Sequence, residues 1–102
     1  MVLFGNMSTN KSEFHCIVTG RVQGVAYRNF AHSMALDLNL TGFVANLPDG
    51  SVEVLAQGDY GVLKVFKNHL LQGPDNARVK NIYDEWREPE KEYDSFKVVQ
   101  IG

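Results

Sequence analysis

The apolar pattern of this chain changes period across the short stretch Gly20 to Arg28, and that change constrains the fold more than any other feature. Before it, Phe14-His15-Cys16-Ile17-Val18-Thr19 is a β-branched and aromatic run that ends at Gly20, the pattern of a buried strand. After it, Phe30, Met34 and Leu38 recur at every fourth position with Ala31 and Ala35 beside them, which is one face of a helix. Gly20 to Ala26 is left as a short loop with a glycine at each shoulder. Asn39 is the expected helix stop, because asparagine tolerates the left-handed conformation.

The rest of the chain repeats these two periods. Gly42 to Leu47 reads as a second strand, and Pro48-Asp49-Gly50 is a turn signal that joins it to Ser51–Gln57 as a hairpin. In Ser51–Gln57, Val52, Val54 and Ala56 fall on one face, and Ser51, Glu53 and Gln57 on the other. Asp59 is placed to cap a second helix with Val62, Val65, Phe66, His69 and Leu70 on its apolar side, and Gly73-Pro74 ends it. Val79–Trp86 is a further strand whose apolar residues Val79 and Ile82 break the alternation, so a bulge or a late start is expected there. Phe96, Val98, Val99 and Ile101 give a terminal strand after the charged loop Arg87–Asp94. Strand, helix, strand, strand, helix, strand, strand is the split βαβ order. The expected class is therefore α+β, a ferredoxin-like α/β sandwich (βαββαβ plus a C-terminal strand) with both helices on one face of a mainly antiparallel sheet.

A chain of 102 residues is expected to form one domain, spanning 14–102. Residues 1–13, rich in Ser, Thr, Asn and Gly, are expected to be a disordered leader without the charged and apolar regions of a secretory signal. One cysteine, Cys16, permits neither an internal disulfide nor a cysteine metal cage, and in its apolar run it reads as a small core residue. The sequence therefore reads as cytoplasmic, and its three Asn-x-Ser/Thr matches as coincidental. No run of apolar residues is long enough for a membrane span. Net charge is −2, with six acids and two bases between Asp84 and Asp94. Nucleic acid is excluded as a partner on that balance, and an RNA-binding sheet would also need aromatics that Ser51–Gln57 lacks.

The common catalytic motifs are absent. Gly20 and Gly24 are not followed by Lys-Ser or Lys-Thr, so there is no magnesium-dependent phosphate loop, and His15, His32 and His69 lie at no metal-ligand spacing. The stretch Gly20-Arg21-Val22-Gln23-Gly24-Val25-Ala26-Tyr27-Arg28 stands out because it leads a buried strand into a helix start. Amides there lack intrahelical partners and carry partial positive charge, and a glycine-shouldered loop can curl them around an anion. Arg28 can add a guanidinium that grips two oxygens at once. On local physics two readings stand: a metal-free phosphate site, or a tight connection with a surface arginine. Asn46 at its strand end is likewise either a water-holding amide or a turn-flanking residue.

These residues resemble a known family. Gly-Arg-Val-Gln-Gly-Val-Ala-Tyr-Arg at 20–28 is similar to the first acylphosphatase signature, and Gly-Phe-Val-Ala-Asn at 42–46 with Asp-Gly-Ser-Val-Glu at 49–53 is similar to the second. Gly58, Gly73-Pro74, Ala77 and Val79 fall where the family has comparable residues, so the likeness spans about residues 14–101. The resemblance implies a hydrolase that splits acyl phosphates into carboxylate and inorganic phosphate, without cofactor or metal, and the fold reads as self-sufficient, so a monomer is expected. It implies that the backbone of Arg21, Val22, Gln23, Gly24, Val25, Ala26 and Tyr27 cradles the phosphate. Arg28 would clamp it, and Asn46 would hold the attacking water. Side chains of Arg21 and Gln23 are expected to face solvent. Tyr27, Phe43, Ala45, Asn39 and Ala31 depart from the commoner family residues. Ala45 stands where relatives often carry Lys or Arg, which implies a weaker long-range pull on phosphate.

Overall fold

The computed structural model describes residues 11–100. Its elements are β1 (Ser12–Arg21), α1 (Tyr27–Asp37), β2 (Thr41–Asn46), β3 (Val52–Gly58), α2 (Tyr60–Gln72), β4 (Arg78–Arg87) and β5 (Phe96–Val99). The sheet order is β4-β1-β3-β2-β5. β3 lies antiparallel between β1 and β2, and β1 lies antiparallel between β3 and β4. Strands β1 and β2 therefore run parallel with β3 between them, as do β3 and β4 around β1. The chain is two interleaved βαβ units, the ferredoxin-like arrangement, with β5 added parallel to β2 at the edge. β1 begins at Ser12, so the strand takes in Ser12 and Glu13 from the stretch expected as a leader. Residues 1–10 of that stretch, and Ile101 of the expected last strand, lie outside the described residues.

Both helices cover one face of the sheet. Phe14, Cys16 and Val18 of β1, Val44 of β2 and Val52, Val54 and Ala56 of β3 are fully buried beneath them. The centre of the α1 face is Tyr27, Ala31 and Ala35, with Met34 and Leu38 partly buried at its flanks. The two alanines let the helix axis approach the sheet, so the larger apolar residues sit to the side. On α2 the buried stripe is Leu63, Phe66 and Leu70, whereas Val65 is 45% exposed. Leu63 replaces Val65 on the expected face because a step of three from Leu63 reaches Phe66 and a further step of four reaches Leu70. Asp84, also on the helix side in register with Cys16, is matched by Lys67 of α2 at 2.7 Å.

The local stops follow the sequence. Asn39 takes φ 57°, and Asn39 N–H donates to Leu36 O while Leu40 N–H donates to Ala35 O, the paired bonds of a Schellman end. Asp59 caps α2 by accepting from Gly61 and Val62 N–H. The β4 irregularity is a bulge. Asn81 pairs with Thr19 and Val79 with Gly20, which leaves Lys80 as the extra residue and turns both Val79 and Ile82 toward the core.

Strands β4 and β5 occupy opposite edges, so residues 88–95 must cross the uncovered face of the sheet. This strap explains why Leu55 and Gln57, on the face expected to be open, are buried. Gln57 Nε2 donates to Lys91 O and to Glu13 Oε1, and Gln57 Oε1 accepts from Tyr93 N–H, so its amide is saturated by the strap and by β1.

Candidate active site

The parallel strands β1 and β2 both end at one edge of the sheet. Val52, at the start of β3, pairs with Val18 on one side and Asn46 on the other. The loop that follows β1 and the last residue of β2 are thus brought together, the position where α/β units bind ligands.

The loop leaves β1 through Gly20, which has φ 122° and lies so close to β4 that a Cβ would come within 2.1 Å of Arg78 O. No other residue fits there. Val22 is buried in the core and anchors the loop. Beyond it, Gly24 has φ 74° and Ala26 has φ 64° and ψ 24°, the left-handed region, at the N-cap of α1. Such a cost at a non-glycine residue marks a backbone constrained by something other than local preference. No side chain caps α1, and no acidic residue stands in its first turn. From Gln23 to Asn29, no backbone N–H donates to a carbonyl or a side-chain oxygen among the described residues. These free donors give the helix start a concentrated positive potential.

Tyr27 fixes the start of α1 against the end of α2. Its side chain is buried, and its hydroxyl donates to Leu70 O at 2.6 Å, one of the carbonyls that the end of α2 leaves free. Burial pushes the Tyr27 hydroxyl well above its ordinary pKa, so it remains a donor throughout the physiological range. Gly73 lies under the same ring, where a Cβ would stand 3.3 Å from Tyr27 Cε2. Burial likewise pushes the Cys16 thiol up and keeps it protonated in the core.

A cavity of about 140 Å³ opens at this edge, lined by Val22, Gly24, Ala26, Tyr27, Arg28, Asn29 and Asn46. That is below the roughly 300–1,000 Å³ of a cofactor pocket and suits a small polar group. Arg28 is half-buried, with Nη1 in a long 3.5 Å contact to Val99 O at the end of β5. Asn46 Oδ1 is buried and has no hydrogen-bond partner among the described residues. A buried acceptor of this kind costs free energy unless a ligand or water supplies the donor.

Of the residues singled out in the sequence, the cavity unites Val22, Gly24, Ala26, Tyr27, Arg28 and Asn46. Arg21 is the exposed last residue of β1, and Val25 packs partly against the core. The Gln23 side chain does not face solvent as expected. Its Nε2 donates to Leu47 O at 2.8 Å and Ser51 O at 2.9 Å, across to the β2–β3 hairpin. Asn29, next to Arg28 in the first helical turn, lines the cavity without any spacing that marks it. The histidines lie elsewhere: His15 pairs with Glu53 at 2.8 Å on the other face of the sheet, and the His32 ring stands 6.1 Å from that of Phe96. Among the described residues no three His, Cys, Asp or Glu side chains are grouped to hold a metal ion.

Fold and site together define a small ferredoxin-like α/β sandwich that gathers an uncapped helix start, an arginine and an unpartnered asparagine around one small cavity. The acylphosphatase family model matches residues 14–98. Acylphosphatase from Thermus thermophilus is 53% identical over 72 residues, covering 71% of this chain and 82% of that protein. The crystal structure of acylphosphatase from Bacillus subtilis superposes with a TM-score of 0.84 at 33% identity, covering 86% of this chain and 98% of that one. The HypF structure from T. kodakarensis contains a similar unit, with a TM-score of 0.79 at 28% identity over 89% of this chain and 12% of that much longer one. The chain belongs to the acylphosphatase family.

Proposed function

We propose that the protein hydrolyses acyl phosphates to a carboxylate and inorganic phosphate, with its own backbone amides and Arg28 holding the phosphate and Asn46 orienting the water. The observation that carries this reading is the convergence on one small cavity of free loop amides, the Arg28 guanidinium and the buried, unpartnered Asn46 Oδ1. The amides from Gln23 to Asn29 and the bidentate guanidinium are donors suited to the oxygens of a transferring phosphoryl group. Asn46 Oδ1 accepts one proton of a water and leaves an oxygen lone pair to face phosphorus.

The reaction asks little else of the protein. Water oxygen bonds to phosphorus as the phosphorus–acyl oxygen bond breaks, and the electron pair leaves on the carboxylate. That leaving group is stable as an anion at neutral pH, so no general acid is needed. Phosphoryl transfer rests chiefly on positioning and charge stabilisation, which is what amides, arginine and an oriented water supply. The water's proton passes to an oxygen of the transferred phosphate. We further infer that the protein acts without metal, as a cytoplasmic monomer. Among the described residues no helix is long and apolar enough to cross a membrane.

Incubation with acetyl phosphate, with and without a chelator, tests the proposal. Chelator-resistant hydrolysis is expected, with losses of about 10²-fold or more in both Arg28→Gln and Asn46→Ala. A folded wild-type protein without activity would refute the enzyme reading. A rate that collapses with chelator would refute metal independence alone.

A further inference from the structure

The two halves of the site stand on strands that do not touch. The amide loop and Arg28 follow β1, Asn46 ends β2, and β3 runs between them. Beyond the strand ends, each segment holds a glycine at positive φ: Gly24 at φ 74° in the loop and Gly50 at φ 95° in the hairpin turn. The sheet register sets the strand ends, through Val52 paired with both Val18 and Asn46, but no strand pairing joins loop 22–26 to turn 47–51.

One side chain spans the gap. Gln23 extends from the middle of the loop, and its single NH₂ group uses both protons, one on Leu47 O at 2.8 Å and one on Ser51 O at 2.9 Å. Among the described residues these are the only hydrogen bonds joining loop 22–26 to turn 47–51. Both acceptors adjoin the working residue. Leu47 follows Asn46 directly, and Ser51 precedes Val52, which is in register with Asn46. The turn is itself closed, because Leu47 N–H donates to Ser51 O and Gly50 N–H donates to Leu47 O. Asp49 Oδ1 also accepts from Ser51 N–H and Oγ–H. Gln23 thus grips a rigid turn rather than a loose one.

We propose that Gln23 is a positioning residue that sets the distance between the phosphate-holding loop and the water-holding Asn46. The inference rests on the reading of the site given above. Glutamine is suited to the task on three counts. Its amide is neutral, so it adds no charge beside a phosphate. It offers two donors to two carbonyls. It is also one methylene longer than asparagine, whose amide would fall short of both. Displacement of a reacting atom by about 1 Å can cost ~10²-fold in rate, so a tie at this point acts on turnover rather than on affinity.

The test compares wild type with Gln23→Met, which keeps the length and loses the donors, and with Gln23→Asn, which keeps the amide and loses the reach. With acetyl phosphate, kcat is expected to fall about 10- to 100-fold in either variant, while KM and inhibition by inorganic phosphate stay within about threefold of wild type. A second readout is independent of turnover. When inorganic phosphate is titrated into wild type, backbone amide resonances of 23–29 and of 46–51 should shift together. In the variants the loop should respond without the turn. A kcat within threefold of wild type overturns the proposal. So does a KM that rises as much as kcat falls, or a turn that still follows the loop. Wild-type inactivity on acetyl phosphate would sink the proposed reaction, yet the phosphate titration would still decide on the tie. Phosphate that moves no amide of wild type overturns both. If one variant fails to fold, the other carries the comparison.

Discussion

At position 28 the difference between arginine and lysine is one of shape, since both carry a full charge at neutral pH. The guanidinium presents parallel N–H groups to two oxygens, and lysine presents a point charge on a flexible stem. Arg28→Lys is therefore expected to lose about 10²-fold or more in kcat on acetyl phosphate, and near-normal turnover would show that charge alone suffices. Ala26 allows a separate test, because its left-handed backbone belongs to the loop and not to its methyl group. Ala26→Gly should keep activity and melt no lower than wild type, whereas Ala26→Val, whose branched Cβ is disfavoured further in this region, should unfold at a lower urea midpoint. Arg28 and Asn46 were singled out in the sequence through the resemblance, because on local physics each kept two readings, and the structure brings both to one cavity. The role of the Gln23 side chain was not. Its partners are backbone carbonyls of a distant turn, and no residue type on the far side announces them. The only local hint is a long amide set between Val22 and Val25 in an otherwise apolar stretch.

Among the elements, the β2–β3 hairpin couples a titratable group to the geometry of the site. Hydrogen bonds from the Ser51 hydroxyl and N–H hold the Asp49 carboxyl below the ordinary aspartate range. A carboxyl whose folded pKa is depressed stabilises the fold fully above its unfolded pKa, near 3.9. That contribution is lost as pH falls through the folded value. Stability measured by urea midpoint should therefore fall on acidification below about pH 4, and Asp49→Asn should show a shallower acid dependence. An unchanged slope in Asp49→Asn would mean that the turn does not sense this proton. Turn, cap and stop signals such as Pro48-Asp49-Gly50, Asp59 and Asn39 were legible because each acts on its immediate neighbours. The stripe of α2 was less so. Val62, Leu63, Val65 and Phe66 are all apolar, and only docking on the sheet shows that Leu63 faces it and Val65 does not. The β4 bulge lay between: Val79 and Ile82 announced an irregularity, but its partner at Thr19–Gly20 emerged only with the sheet.

For the whole molecule, the consequence of placing β4 and β5 on opposite edges is a strap across the sheet, and its fastening lies far from the site. β3 runs from Val52, in register with Asn46, to Gln57 and Gly58, in register with Glu13 and Ser12 at the other end of β1. Gln57 is 1% exposed and holds the strap at that distant end. Gln57→Leu would leave Lys91 O and Tyr93 N–H without their partner, and Glu13 would keep only Arg87. Glu13 is buried but Lys91 O and Tyr93 N–H are partly open to water, so a loss of about 1–3 kcal/mol and faster hydrogen exchange at Tyr93 N–H are expected. Turnover should respond differently. The cavity edge is set by the C-terminal ends of β1 and β2, the loop and the Gln23 tie, whereas Gln57 meets the strap beside Glu13 and Thr41, at the opposite ends of those strands. Assayed well below its melting temperature, Gln57→Leu should keep kcat within about threefold of wild type, the reverse of the pattern expected at Gln23. A Gln57 variant with normal stability and reduced kcat would mean that the strap reaches the site through β5, whose Val99 carbonyl faces Arg28. Stability and catalysis would then be joined across the sheet rather than divided between its two ends.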